Sequence, residues 1–384
     1  MLNVRSREHI VLAVMICLLI GWNYWIPAFL YSARIPIGTV DFNYFYTAGW
    51  LFLHHENPYN NTFFVYPPTS IPFYAIFAFF NLDLAMQLWR VTYFGMFGIA
   101  LLGLCLTLDS KRRSLYVLLA LLLMFTSYPL LILMRVGQND LLVGSLTVLA
   151  LVFQRIQRNV ASAVVLSVAT VLKGPAVLFL IYFVLFRRDA RYLFHFLISI
   201  LMMVVASLIV VPIPVYWYYL TNVAPTFSNI FPVEMNQSLV GYVALTGMAR
   251  LAQATSLIGY TLFAVFAFFV GTRKRTPFEE STLSSDAMFL MNGLILLLLG
   301  PRSTVYPYVW IILPLALFFS ALIAQRIRVI YLAVVGFAAF LMNATLQQTF
   351  LLYTMLPLEM IGNLILTLCL IPIFIRPTSI SNKP

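Results

Sequence analysis

A single acidic residue, Asp41, begins the stretch Asp41-Phe42-Asn43-Tyr44-Phe45-Tyr46. Apolar residues recur at helical spacing after Phe42, which predicts a short aromatic helix in the membrane interface with Asp41 at its start. A carboxylate in that position fits two roles. It caps the helix by accepting backbone N–H groups, or it acts as a general base that removes a proton from an attacking hydroxyl group.

Two isolated cations are candidates for binding an anion. Lys173 interrupts the apolar stretch 160–186 and is followed by Gly174-Pro175. A lysine in hydrocarbon costs about 2.5–3.5 kcal/mol unless something offsets it. Lys173 therefore either extends to the membrane surface or is the countercharge of a phosphate group. Arg302 has the same two alternatives, interfacial anchor or phosphate ligand.

Three further polar segments leave more than one interpretation open. Gly137-Gln138-Asn139-Asp140 is either a helix boundary, with glycine closing one helix and Asn or Asp capping the next, or a group of ligand-binding side chains. The segment Asn236-Gln237-Ser238 has the same ambiguity. His54-His55-Glu56 is not expected to bind a metal, because three adjacent side chains do not converge on one ion.

Membrane helices must position these residues. The chain is 62% hydrophobic and 9% charged, with a mean hydropathy of +0.95, whereas an average soluble domain is about 25% charged. This composition excludes a soluble fold. At about 20 residues per crossing, the chain would span a bilayer roughly ten to twelve times. We predict one membrane domain, 1–384, with a first outer loop at 31–68 and a second long one at 213–253.

Basic residues are distributed unevenly along the chain. Most lie in clusters between apolar runs, such as Lys111-Arg112-Arg113 and the pair Arg155 and Arg158. The positive-inside rule places these clusters and both termini in the cytoplasm. The predicted spans are 10–30, 82–108, 114–134, 139–154, 160–172, 175–186, 192–212, 255–271, 287–300, 306–324, 329–349 and 353–375. Residues 69–80 are predicted to form a re-entrant or surface-lying helix, and Lys173-Gly174-Pro175 to separate two half-length helices.

Several short motifs occur in an order that is typical of one family. They are Asp41-Phe42-x-x-Phe45-Tyr46-x-Ala48-Gly49, Asn57-Pro58-Tyr59, Tyr66-Pro67-Pro68, Gly137-Gln138-Asn139, Leu172-Lys173-Gly174-Pro175, Asn236-Gln237-Ser238-Leu239 and Pro301-Arg302-Ser303. In these motifs the sequence resembles glycosyltransferase family 87 of the GT-C superfamily, which includes polyprenol-phosphate-mannose-dependent mannosyltransferases. The resemblance covers about residues 38 to 315.

This resemblance implies a fold and an activity. The fold is a GT-C type, all-α bundle with interfacial helices in the first outer loop. The activity is an inverting, metal-independent transfer of a sugar, mannose first among them, from a polyprenyl-phosphate donor to a glycan or glycolipid acceptor. The transfer takes place on the outer face of the membrane. In a bacterium this is the plasma (inner) membrane. The reaction is expected to require no cofactor and no nucleic acid.

The resemblance also implies roles for individual residues. Asp41 corresponds to the acidic position that usually supplies the catalytic base. Lys173 and Arg302 are expected to bind the donor phosphate. Similar sequences often carry a histidine near residue 306, and Tyr306 is expected to take its place in binding the phosphate. The residues expected to contact the sugar or the acceptor are Tyr44, Tyr46, Tyr66, Gln138, Asn139 and Asn236, and Trp50 could line the same site.

Two alternatives from other classes remain. A transporter or lipid flippase also contains broken helices and isolated intramembrane charges, but its polar groups should lie near the bilayer midplane, whereas here they cluster towards one face. A GT-C relative that joins preassembled lipid-linked glycans would share the same sequence features.

Overall fold

The computed structural model describes residues 41–60, 63–228, 236, 238–272, 282–301, 303, 306–325, 329–343 and 358–375. Within these ranges every regular element is a helix and no strand occurs, which confirms the all-α prediction. The predicted span 10–30 and the side chain of Arg302 lie outside the described residues.

Fifteen α-helices follow one another in the described ranges. They are α1 Phe42–Leu53, α2 Ile71–Ala78, α3 Leu82–Leu106, α4 Ser110–Thr126, α5 Tyr128–Val136, α6 Asp140–Arg155, α7 Asn159–Leu172, α8 Ala190–Leu208, α9 Ile213–Tyr218, α10 Leu239–Leu245, α11 Ala249–Thr272, α12 Thr282–Leu299, α13 Ile312–Ala324, α14 Val329–Asn343 and α15 Leu358–Ile375. Short 3-10 or π segments lie between them at Pro68–Ser70, Gly174–Phe179, Ile181–Phe186, Tyr219–Val223, Ala224–Ser228 and Tyr306–Ile311.

Four helical segments in the described ranges are long and apolar enough to cross a membrane. They are Leu82–Leu106, Ala190–Leu208, Ala249–Thr272 and Pro307–Ala324. Helices α4 and α5 add a fifth if they form one broken span, because they meet at an angle of 60°. The single span predicted at 114–134 is therefore two helices, which are separated by the extended backbone of Ser127. The total of ten to twelve crossings stays a prediction.

The two irregular places expected from the sequence are irregular in the structure. Helix α2 has eight residues and is therefore about 12 Å long, too short to cross a bilayer alone. Lys173 ends α7 in an extended conformation, with φ −157° and ψ 105°. The half-helix predicted after it consists of a 3-10 and a π segment, where Pro175 lacks the N–H of a regular α-helix.

Helix α6 lies at the centre of the fold. It packs against α3 and α7, and its side chains are buried from Asp140 to Val152. A helix that is buried on all sides has no face for water or lipid. Its ionisable side chains stand at its two ends, Asp140 and Arg155, and its 16 residues separate these ends by about 24 Å.

A buried ion cluster holds the C-terminal end of α6. Asp286 of α12 is fully buried and pairs with Arg155 and with Arg112 of α4, whose Nη2 lies 2.7 Å from Asp286 Oδ2. Arg112 also donates to the carbonyl oxygen of Leu317 in α13 at 3.3 Å. A carboxylate distant in sequence thus draws both side chains into the protein, and the assignment of their clusters to the cytoplasm stays a prediction.

We expect Asp286→Ala to lower the free energy of unfolding by about 3–5 kcal/mol, because two largely buried guanidinium groups lose their shared carboxylate. The measurement is an unfolding titration in mixed detergent micelles, followed by circular dichroism. Asp83→Ala removes an exposed carboxylate in the first turn of α3 and serves as the control. Equal stability of the two variants would contradict the structural role of Asp286.

A tight turn at Gly137 precedes the N-terminal end of α6. Gly137 closes α5, as predicted, with a left-handed φ of 74°. A Cβ atom at this position would lie 2.7 Å from the Cβ of Phe42. Phe42 stacks on Trp89 with ring centroids 5.7 Å apart, and Trp89 Nε1 donates to the Gly137 carbonyl oxygen at 2.8 Å. The first turn of α1, next to Asp41, is thus packed directly on this turn.

Gly137→Ala should destabilise the protein by more than about 1 kcal/mol, because alanine is strained at a positive φ and its methyl group meets Phe42. Gly95→Ala is the matched control, since a Cβ at Gly95 in α3 meets nothing within 4 Å. That change should be neutral or should stabilise the helix by up to about 1 kcal/mol. The same titration compares them, and a Gly137→Ala variant as stable as the wild type would disprove the close packing.

Candidate active site

Asp41 occupies the N-cap position of α1, but its side chain makes no capping hydrogen bond. Its Oδ2 atom instead accepts a hydrogen bond from Gln138 Nε2 at 2.5 Å. The residue is half-buried. The Asp41 carboxylate therefore does not cap the helix, which was the first of its two predicted roles. It is available for the second role, proton transfer.

The surroundings of Asp41 change its acidity. Burial raises the pKa of the Asp41 carboxyl above its ordinary value. The hydrogen bond from Gln138 and the positive charge of Lys173 lower this pKa, and the negative charge of Asp140 raises it. A carboxylate with a raised pKa is a better general base near neutral pH.

The Gln138 side chain links Asp41 to Tyr66. Tyr66 donates from its hydroxyl to Gln138 Oε1 at 3.2 Å, and the Tyr66 ring meets Phe45 of α1 edge-on with centroids 5.2 Å apart. The Gln138 side chain is therefore held between the carboxylate and the tyrosine. Of the residues predicted to contact the sugar or acceptor, Gln138 binds Asp41 directly and Tyr66 is linked to it through Gln138.

Lys173 forms a buried ion pair. Its Nζ lies 2.8 and 2.7 Å from the two carboxylate oxygens of Asp140. Trp310 Nε1 donates to Asp140 Oδ1 at 2.8 Å. The Asp140 side chain is fully buried and that of Lys173 is 17% exposed. The Asp140 carboxylate, itself held by the indole N–H of Trp310, thus offsets the cost of placing this lysine in an apolar region, and the lysine does not need to extend to the membrane surface.

Neither the pairing of Asp140 with Lys173 nor the hydrogen bond from Trp310 to Asp140 was predicted from the sequence. A signal was present, because an acidic residue at the start of one apolar segment and a lysine at the end of the next commonly pair inside a membrane protein. Asp140 stands next to glycine and two amides, and that context resembles an ordinary helix cap.

Asn139 is fully buried between two other elements. Its Nδ2 atom donates to the Tyr74 hydroxyl at 2.8 Å and to the Leu172 carbonyl oxygen at 3.0 Å. The side chain does not cap α6, so that part of the helix-boundary interpretation is wrong. Asn139 joins α2 to the last residue before Lys173, and its predicted contact with a sugar stays a prediction.

The aromatic residues of α1 lie on several sides of the helix. Tyr46 donates from its hydroxyl to the Phe80 carbonyl oxygen at 2.9 Å. Tyr44 packs edge-on against Phe63 with centroids 5.2 Å apart, and Trp50 is 40% exposed. The contacts of Tyr46 and Tyr44 thus lie apart from the hydrogen bonds that join Asp41, Gln138 and Tyr66.

Asn236 and Tyr306 belong to other parts of the predicted site. Asn236 is buried, and its Nδ2 donates to the Pro301 carbonyl oxygen at 2.9 Å, which ties it to the residue before Arg302. Tyr306 begins the 3-10 segment Tyr306–Ile311, but its side chain, like Arg302, is outside the described structure. The roles of Arg302 and Tyr306 in binding phosphate stay predictions.

Comparison with known proteins identifies the family. The sequence model for glycosyltransferase family 87 matches residues 64–301, which is more than half of the chain. The matched region contains Tyr66, the turn 137–140 and Lys173, while Asp41 precedes it. No curated protein matches the chain. The chain therefore belongs to glycosyltransferase family 87 and is a membrane glycosyltransferase.

Proposed function

We propose that the protein transfers a sugar, with mannose as the first candidate, from a polyprenyl-phosphate donor to a hydroxyl group of a glycan or glycolipid on the non-cytoplasmic side. The observation that carries this proposal is the state of Asp41. Its carboxylate caps no helix, has a raised pKa and is oriented by Gln138. These are the properties that a general base requires.

In this reaction Asp41 accepts the proton of the acceptor hydroxyl. The acceptor oxygen forms a bond to the anomeric carbon of the donor sugar on the face opposite the phosphate. The bond between that carbon and the phosphate oxygen breaks, and its electron pair stays on the phosphate. The products are the glycosylated acceptor with inverted configuration and the polyprenyl phosphate, and Asp41 then returns its proton to water.

Positive charge stabilises the departing phosphate in this mechanism. Lys173 acts on the pKa of Asp41, so its ammonium group is electrostatically coupled to the base. Preorganised cations in a partly dry site stabilise developing charge at no cost in reorganisation. We assign this role to Lys173 and Arg302, and we assign to Tyr306 a hydrogen bond from its neutral hydroxyl to the phosphate.

The membrane setting is the second part of the proposal. We infer ten to twelve crossings, both termini in the cytoplasm and the site at the outer face, in the inner membrane of a bacterial host. Most residues of helices α8 and α11 are not buried inside the protein, and this suits a protein whose substrate carries a lipid chain that enters sideways from the bilayer.

Asp41→Asn should reduce sugar transfer by about 10²–10⁴-fold, because the amide cannot accept the proton. The variant should remain folded and should still bind the donor. The measurement uses purified protein with a panel of polyprenyl-phosphate sugars and host lipid or glycan extracts, and the transferred mass identifies the sugar. Asp83→Asn, at an exposed position, is the control. Near wild-type turnover by Asp41→Asn would remove the assignment of the base.

The pH dependence gives a second prediction. Asp41 acts as a base only when it is ionised, so kcat/KM should fall as the pH drops through its pKa. Because burial raises this pKa, the fall should occur at a higher pH than for an ordinary aspartate, whose pKa is about 3.9. A pH profile with its acid limb at that ordinary value would count against a buried base.

A transporter or flippase is the second candidate. The break at Lys173 and the 60° bend between α4 and α5 are features that transporters share. Substrate-dependent flux in proteoliposomes without any sugar transfer would favour this candidate. Transfer of a preassembled glycan in the mass assay would instead indicate a GT-C relative that joins lipid-linked glycans.

A further inference from the structure

We propose that Gln138 and Asp140 are positioning residues, of which Gln138 orients the base Asp41 and Asp140 orients the cation Lys173. One short turn between α5 and α6 would then set the geometry between the base and the cation. This inference rests on the proposed function, and it assigns to the turn a role other than direct contact with the sugar.

Gln138 is suited to orient a carboxylate without competing with it. Its amide oxygen accepts the hydrogen bond from Tyr66, so the amide nitrogen is the end that faces Asp41. The side chain is 9% exposed, and a neutral amide does not take the proton from the acceptor. Asp41 Oδ2 is thus held by a donor whose own orientation is fixed.

Asp140 is suited to orient the lysine and not to act as a base. It is fully buried, and hydrogen bonds from Lys173 and Trp310 occupy its carboxylate. Because Trp310 comes from a different element, it fixes the carboxylate independently of Lys173. The lysine ammonium then has a defined position relative to the start of α6.

Gly137 and Asn139, the other two residues of the turn, make it rigid. Asn139 binds Tyr74 and the carbonyl oxygen of Leu172, which directly precedes Lys173. The Gly137 carbonyl oxygen accepts the hydrogen bond from Trp89. Hydrogen bonds on four successive residues therefore hold this turn, and those of Gln138, Asn139 and Asp140 reach Asp41, Leu172 and Lys173. Held geometry of this kind is what precise catalysis needs.

The first test measures kcat/KM against pH for Gln138→Leu. The charged groups that act on Asp41 in the described structure are Lys173 and Asp140, and both remain in this variant. Loss of the hydrogen bond to the ionised form should move the acid limb to higher pH. The plateau rate should fall about tenfold or more, while the KM for the donor stays constant. Gln87→Leu, an exposed position on α3, is the matched control.

The second test uses Asp140→Asn, which keeps an oxygen for Trp310 and Lys173 but removes the charge. Because the negative charge of Asp140 raises the pKa of Asp41, the acid limb should move to lower pH, opposite to Gln138→Leu. If Asp140 positions Lys173, the KM for the donor should rise by about tenfold. A lower KM would overturn this half of the proposal, since it would mean that Asp140 only competes with the phosphate for Lys173.

Tyr66→Phe guards against a folding failure of the Gln138 variant. It keeps the ring and removes only the hydroxyl that fixes the amide, so it should shift the acid limb in the same direction by a smaller amount. Unchanged pH profiles in both Gln138→Leu and Tyr66→Phe, with an active wild type, would overturn the positioning role of Gln138. A wild-type protein that transfers no sugar from any donor would instead overturn the proposed function.

Discussion

The buried ion pair Asp140–Lys173 brings distant segments of this protein together. An uncompensated buried charge costs several kcal/mol, so the start of α6 and the end of α7 must remain side by side. Trp310 adds a third element through its hydrogen bond to Asp140. The break after α7 and the 3-10 segment before α13 therefore meet at the same point.

The same principle operates at the other end of α6. Asp286 forms ion pairs with both Arg112 and Arg155, and Arg112 also contacts the middle of α13 through Leu317. Two charged clusters about 24 Å apart fix both ends of α6, and with them the register of the helices around it.

This arrangement explains why the candidate site is built on a turn and not on a long loop. The turn 137–140 is continuous with the buried helix α6, and Gly137 allows the first turn of α1 to approach the turn closely. Asp41 therefore stays half-exposed, as a base that meets its substrate must, while Gln138 and Asp140 behind it are buried. Rigid support and an accessible reactive group are thus combined within a few residues.

The sequence by itself determined the features that depend on neighbouring residues: the membrane class, the helix Phe42–Leu53 after Asp41, the helix end at Gly137 and the break at Lys173. Hydrophobic period, glycine and proline act locally, so their effects can be read along the chain. Only the tertiary structure decided that Gln138 binds Asp41 across 97 residues, that Asp140 binds Lys173, and that Arg112 and Arg155 share Asp286. These contacts depend on how helices pack in three dimensions, and no local pattern specifies which of several polar side chains will meet.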